Sequence, residues 1–189
     1  GNSQIDGNNQ YLWRMNRRRL EAEEIRDSIL AASGRLDLKM FGPGFYLFKL
    51  EKTAHSPHYE YHKHDPNDAS SHRRSVYRFV VRSQPDPFMT TLDCADSSQS
   101  TPQRMETLTS LQALSLLNNN FTLAMAEHFS RRLQREHPDV TSQVTRAVWL
   151  ISGRMASPAE RQQLSRYATQ FGLSNLCRLL FNLSEFVYI

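Results

Sequence analysis

The chain has 189 residues, with 23 Lys plus Arg against 19 Asp plus Glu and a formal net charge of +4. Apolar residues make up 39% and charged residues 22%, and no apolar run approaches the roughly 18 residues that a membrane-spanning helix needs. Seven Gly and eight Pro are too few for a collagen-like or low-complexity chain, so the sequence predicts one globular domain over residues 1–189.

The positive charge is mild and interrupted. Arg14, Arg17, Arg18 and Arg19 are followed at once by Glu21, Glu23 and Glu24, which predicts one end of a solvated, ion-paired helix and not the basic stripe of a nucleic-acid reader. Cys94 and Cys177 cannot build a disulfide framework or a Cys-only zinc site; a single bridge between them stays open. Residues 1–13 (GNSQIDGNNQYLW) lack the basic start and apolar stretch of a secretory leader, so a targeting signal is expected outside this segment.

In chain order, Leu20, Ile25, Ile29, Leu30 and Ala32 keep helical spacing and predict a helix over 14–33, ended by Gly34. Residues 35–105 lose that period and predict an irregular lobe with room for a small β-sheet. Its stretch to Ser75, rich in His, Asp, Tyr and Ser, reads as a functional loop or a flexible excursion. Residues 75–82 (SVYRFVVR) fit both a strand and a helix face. From 106 a helical array follows. Leu108, Leu111 and Leu114 space one helix, and Phe121, Met125, Phe129 and Leu133 a second. Val140, Val144, Val148 and Ile151 form a third between an Asp139 cap and Gly153. Ser157, Pro158 and Glu160 open a fourth, and Leu176, Leu179, Leu180 and Leu183 make a fifth. The fold class is therefore mainly α.

Several groups could carry chemistry. His55, His58, His62, His64 and His72 cluster in one segment. In extended chain His58, Glu60, His62 and His64 share a side, so His58, His62 and His64 are the candidate metal ligands, although the spacing matches no named metal motif; a mobile, solvated segment is the preferred expectation. Arg74, Arg78 and Arg82, with Tyr77, form a candidate binding set for a carboxylate, phosphate or sulfate. The competing reading pairs these arginines internally with Asp65, Asp68, Asp93 or Asp96. Asp93 and Asp96, flanked by Cys94, are the candidate catalytic groups, though no Gly-x-Ser-x-Gly, phosphate-cradling glycine loop or His-Glu-x-x-His accompanies them. Gln112 and Asn118 are expected to make caps and inter-helix hydrogen bonds.

The segments RMNRRRLEAEEIRDSIL (Arg14 to Leu30), SHRRSVYRFVVRSQPDPF (Ser71 to Phe88), TLDCADSSQSTPQR (Thr91 to Arg104), TSLQALSLLNN (Thr109 to Asn119) and SPAERQQL (Ser157 to Leu164), with the ending EFVYI, together resemble the C-terminal domain of unknown function attached to planctomycete cytochrome c domain proteins. Met40-Phe41-Gly42-Pro43 departs from the Gly-Gly-Pro expected there. The resemblance implies a large, exported, multidomain bacterial protein, periplasmic or at the cell surface, with a haem-binding cytochrome c segment elsewhere; Cys-x-x-Cys-His does not occur here, so no cofactor is expected in this domain. It brings no catalytic residues with it. The expected role is a non-catalytic accessory or interaction domain whose partners are other domains of the same polypeptide. The alternatives are a hydrolytic or redox enzyme using Asp93, Asp96, Arg78 and the histidine segment, and a polysaccharide-binding module.

Overall fold

Glu21 decides where the first long helix begins. In the computed structural model, which describes residues 1–52 and 56–189, a short α1 (Asn2–Ile5) precedes α2 (Ala22–Ala32). The predicted helix over 14–33 is thus corrected at its start. The Glu24 carboxylate accepts the Glu21 N–H at 2.9 Å, as in a capping box, and Arg18 forks onto Glu24 with two bonds of 2.7 Å. The residues before this cap run extended. Arg18 N–H donates to Ile189, Ile189 N–H returns to Arg18, and Leu20 N–H donates to Val187. The far end matches the expectation: Gly34 has φ +72, Arg35 N–H reaches Leu30 and Gly34 N–H reaches Ala31, the paired bonds that close a helix on a left-handed residue.

The middle lobe carries a two-strand antiparallel sheet, β1 (Lys49–Lys52) against β2 (Pro57–Glu60). Lys49 stands opposite Glu60 and Glu51 opposite His58. Residues 75–82 adopt neither periodic form: a 3-10 turn at Ser75–Tyr77 leads into extended chain, where Arg78 bridges Phe45.

The described part of the histidine segment carries turns with side-chain bonds of their own; His55 lies outside the described residues. After β2 come 3-10 turns at Tyr61–Lys63 and Ala69–Ser71. Apolar contact comes from upstream: the Phe48 ring centroid lies 5.0 Å from Tyr59 and 5.5 Å from Tyr61, both edge-on. Asp65 and Asp68 accept the N–H groups of Asn67 and Ser70 at 2.9 and 3.0 Å, so local side-chain bonds hold the turns.

A five-residue α3 (Pro87–Thr91) leads to the predicted array: α4 (Ser110–Asn118), α5 (Asn120–Glu136), α6 (Val140–Ser152), α7 (Pro158–Phe171) and α8 (Leu173–Leu180), with a short α9 (Ser184–Val187) after it. The signals read from sequence are the working caps. Asp139 accepts from Ser142 N–H, Ser157 accepts from Glu160 N–H, and Gly153 takes φ +70. Met125, Phe129 and Leu133 of α5 are fully buried with Val144 and Ala147 of α6, Leu176 and Leu180 of α8, and Ile25 and Ile29 of α2. In α4 the predicted leucine spacing is corrected: Leu108 precedes the helix and is exposed, as are Leu111 and Leu114, while Gln112 and Leu116 are the buried residues.

Candidate functional site

Asp93 follows α3 with φ +64, a region that Asp tolerates better than most residues. Its carboxylate accepts from Arg19 Nη1 at 2.8 Å, Thr107 N–H at 2.8 Å, Thr107 Oγ1 at 2.9 Å and Gln112 Nε2 at 2.9 Å. Burial alone would push this carboxyl up, but the bonds from Thr107 and Gln112 and the charge of Arg19 outweigh it and hold it below its ordinary value. The same Arg19, 5% exposed, also donates to the Thr107 carbonyl. Asp93 is therefore an anchor joining the extended N-terminal segment, the chain at Thr107 and α4. Its cation is Arg19, and none of Arg74, Arg78 and Arg82, the arginines the sequence offered as carboxylate partners.

The other two members of the candidate catalytic set have local partners of their own. Asp96 is exposed and closes a turn by accepting Ser98 N–H at 2.8 Å. Cys94 Sγ lies 3.5 Å from Glu23 Oε1, and burial together with that carboxylate pushes its thiol up, the opposite of what a nucleophilic thiolate needs. Cys94 and Cys177 are both free thiols, the latter buried.

The arginine set divides. Arg78 Nη2 reaches Cys94 Sγ at 3.5 Å and Arg82 Nη2 reaches the Ser98 carbonyl at 3.1 Å. Tyr77 lies under two guanidinium groups, Arg73 at 4.0 Å and Arg74 at 5.7 Å from the ring centroid, and its hydroxyl accepts Phe41 N–H at 2.9 Å. Arg73 in turn donates to the carbonyls of Phe41 and Pro43, each at 2.6 Å. Tyr77 and Arg73 thus pin the 39–43 loop.

The candidate metal ligands also part ways. His58 is exposed opposite Glu51, His62 Nδ1 is 3.2 Å from Glu60 Oε2, and His64 Nε2 is 3.2 Å from Ser71 Oγ. Among the described residues no three His, Cys, Asp or Glu side chains gather as a metal-holding group.

The structure brings two of those histidines, with other residues, to a cavity of about 260 Å³. It lies between α2, the turns that follow β2, the start of α3 and the α4–α5 junction. Arg26, Tyr61, His62, His64, Asp86, Phe88, Asn119, Asn120 and Phe121 contribute to its lining. Arg26 is buried; it donates to the carbonyls of Ser71 at 2.6 Å and Arg73 at 3.0 Å and to Ser75 Oγ at 3.2 Å. Its guanidinium sits 5.1 Å from the Phe45 ring and 5.4 Å from Phe121, a packed and fully engaged cation. Asp86 caps α3 by accepting Phe88 N–H at 2.9 Å, and burial pushes its carboxyl up against the pull of Arg78. Burial likewise pushes the His64 imidazole down and Tyr61 up to about 12. Titratable groups perturbed by desolvation in one cleft make it the candidate site.

The sequence reading passed over Arg26, Asp86 and the Asn119–Asn120 pair, and each left a signal. Arg26 stands in the apolar stripe of Ala22, Ile29 and Leu30, where a charge must be paired. Asp86 precedes a proline, the order of a cap and first helical residue. Asn119 caps α5 by accepting Phe121 N–H at 2.9 Å. The expectation for Gln112 and Asn118 holds: Gln112 exchanges bonds with Thr109 and reaches Asp93, and Asn118 accepts from Arg178 across helices at 2.9 Å.

No helix among the described residues is long and apolar enough to cross a membrane. No curated protein and no solved structure matches the chain. A family model described as PSD1, a protein of unknown function (DUF1553), matches residues 1–168. With that match covering most of its length, the chain belongs to the PSD1 (DUF1553) family.

Proposed function

We propose that this chain is a non-catalytic accessory domain, residues 1–189 folding as one unit within a larger exported bacterial protein that carries a cytochrome c segment elsewhere. Haem then belongs to that other segment, and the partners of this domain are its neighbours in the same polypeptide. The planctomycete and cytochrome c parts of this reading come from the resemblance of the arginine, aspartate and Gln-Ala-Leu segments. The observation that supports the accessory role is the commitment of Asp93: four donors saturate the carboxylate that an acid or base would need to keep free.

The enzyme reading requires Asp93, Asp96, Arg78 and the histidine segment around one cavity. Of that set, only His62 and His64 line the cavity between α2, α3 and the α4–α5 junction. The third reading, a saccharide-binding module, is favoured by the same cavity, whose lining is predominantly apolar with a few polar groups converging on it. Incubating the domain with a panel of glycans, sulfate esters and phosphate esters tests the proposal. No turnover is expected, and turnover lost in Asp93→Asn would overturn the accessory role.

A further inference from the structure

We propose that the cavity between α2, the start of α3 and the α4–α5 junction binds a neutral, hydroxyl-rich six-membered ring, a single pyranose unit. This rests on the saccharide-binding reading and narrows it to one ring in this cavity.

Charge comes first. The lining pairs one buried cation, Arg26, with one buried acid, Asp86, so neither a net anion nor a net cation meets a complementary field. Arg26 is also spent on Ser71, Arg73 and Ser75, which leaves it no fork to offer a carboxylate or phosphate.

Polar capacity comes second. Asn119 uses Oδ1 on Phe121 N–H, and its Nδ2 remains a donor. Asn120, beside it in the lining, is exposed, and its amide supplies a donor and an acceptor. His64 engages Ser71 through Nε2, leaving Nδ1. Together with the Asp86 carboxyl these are short-range donors and acceptors of both kinds, as hydroxyl groups demand. Shape comes third. The rings of Phe88 and Phe121, packed against each other at 5.7 Å and inclined at 57°, both line the cavity and supply the apolar wall against which the C–H face of a puckered ring packs. The volume of about 260 Å³ falls near the lower end of ligand pockets, roughly 300 Å³, and suits one ring, not an oligomer buried whole.

Titration of the ¹⁵N-labelled chain with D-glucose, D-galactose, D-mannose and N-acetyl-D-glucosamine, with inorganic phosphate and adenosine alongside, is the test. At least one sugar is expected to saturate with a dissociation constant on the order of 1 mM. The shifts should centre on the amides of Asn119, Asn120 and Phe121 and on the His64 ring. Asn120→Ala, at an exposed position, and Asp86→Asn, which keeps the acceptor for Phe88 N–H, should each weaken binding by about tenfold with unchanged circular dichroism. No saturating shift with any sugar, shifts centred elsewhere, or tighter binding of phosphate or adenosine would overturn the proposal and leave the accessory role standing. A sugar bound in the cavity and chemically converted would support the site while overturning the non-catalytic reading, so the two fail separately.

Discussion

Gln112 Nε2 donates to Asp93 Oδ2 at 2.9 Å, and this bond sets which side of α4 faces inward. The Gln112 side chain is 4% exposed, whereas Leu111 and Leu114 are 62% and 54% exposed. Gln112→Leu is expected to lower the unfolding free energy by about 1–3 kcal/mol, because it leaves a buried acceptor short of a donor. Leu111→Gln and Leu114→Gln should each fall within about 0.5 kcal/mol of the parent chain. Urea midpoints of the three variants measure the contrast, and a larger loss from either leucine would contradict the assigned orientation.

Asp93→Ala strands the guanidinium of Arg19 and is expected to cost about 3–5 kcal/mol; Asp93→Asn, which keeps acceptor and donor capacity, should cost less. The acid limb of stability carries the same signature. Asp93 is held below its ordinary value in the fold, so its contribution is present above an unfolded pKa of about 3.9 and fades as pH falls through the lower folded value. Melting temperatures recorded from pH 6 downward should show a loss near and below about pH 4 that is reduced in Asp93→Asn.

Phe41 offers the reverse case. It has φ +63 and a ring that is 75% exposed, so its side chain returns little for a left-handed backbone that costs about 1–2 kcal/mol. Glycine there gives back roughly 0.5–1 kcal/mol through its freer unfolded chain. Phe41→Gly is therefore expected to raise stability by up to about 1 kcal/mol. Asp93→Gly, at nearly the same φ, should lower it, because the Asp93 side chain is bonded. Paired thermal melts decide whether backbone or side chain governs each position.

His72 makes the fold sensitive to mild acid. Arg35 Nε donates to its Nδ1 at 3.3 Å, and its Nε2 lies 2.9 Å from the Pro66 carbonyl, so the neutral ring with Nε2–H fits both partners. Protonation of Nδ1 would set two donors against each other. Burial, helped by Arg35 and Arg26 and opposed by the Pro66 bond and Asp68, lowers its pKa; His128, 6.5 Å away, is lowered too, mainly by burial. A depressed histidine contributes stability that is present above the unfolded value of about 6.5 and lost as pH falls through the folded one. The melting temperature should drop between about pH 7 and pH 5, and His72→Gln should flatten that slope.

The helices of the array were legible because their signals are local: Asp139, Ser157, Pro158 and Gly153 act within one turn of themselves. The start of α2 was harder to see, since Arg14 to Arg19 have good helix propensity and only the pairing of Arg18 and Leu20 with residues 187–189 keeps them extended. That partner is distant in sequence, and periodicity does not register it. The turns of the histidine segment were hidden for a similar reason: Phe48, which supplies their apolar contact, lies upstream of the segment. Of the candidate site, His62 and His64 were on view, while Arg26 and Asp86 come from separate elements that only the packing of α2 and α3 brings to one cavity.

The reciprocal hydrogen bonds of Arg18 and Ile189 close a loop over most of the sequence, and the entropy of such closure grows with its length. During synthesis Arg18 leaves the ribosome long before residue 189. For that interval Arg18 and Leu20 lack their backbone partners, and Arg19 approaches Asp93 from an untethered strand. The helical array is built on contacts much nearer in sequence, which close faster. The N-terminal strap then shuts over Asp93 late in folding, and a chain cut before Tyr188 would keep α2 to α8 but lose the reciprocal Arg18–Ile189 bonds.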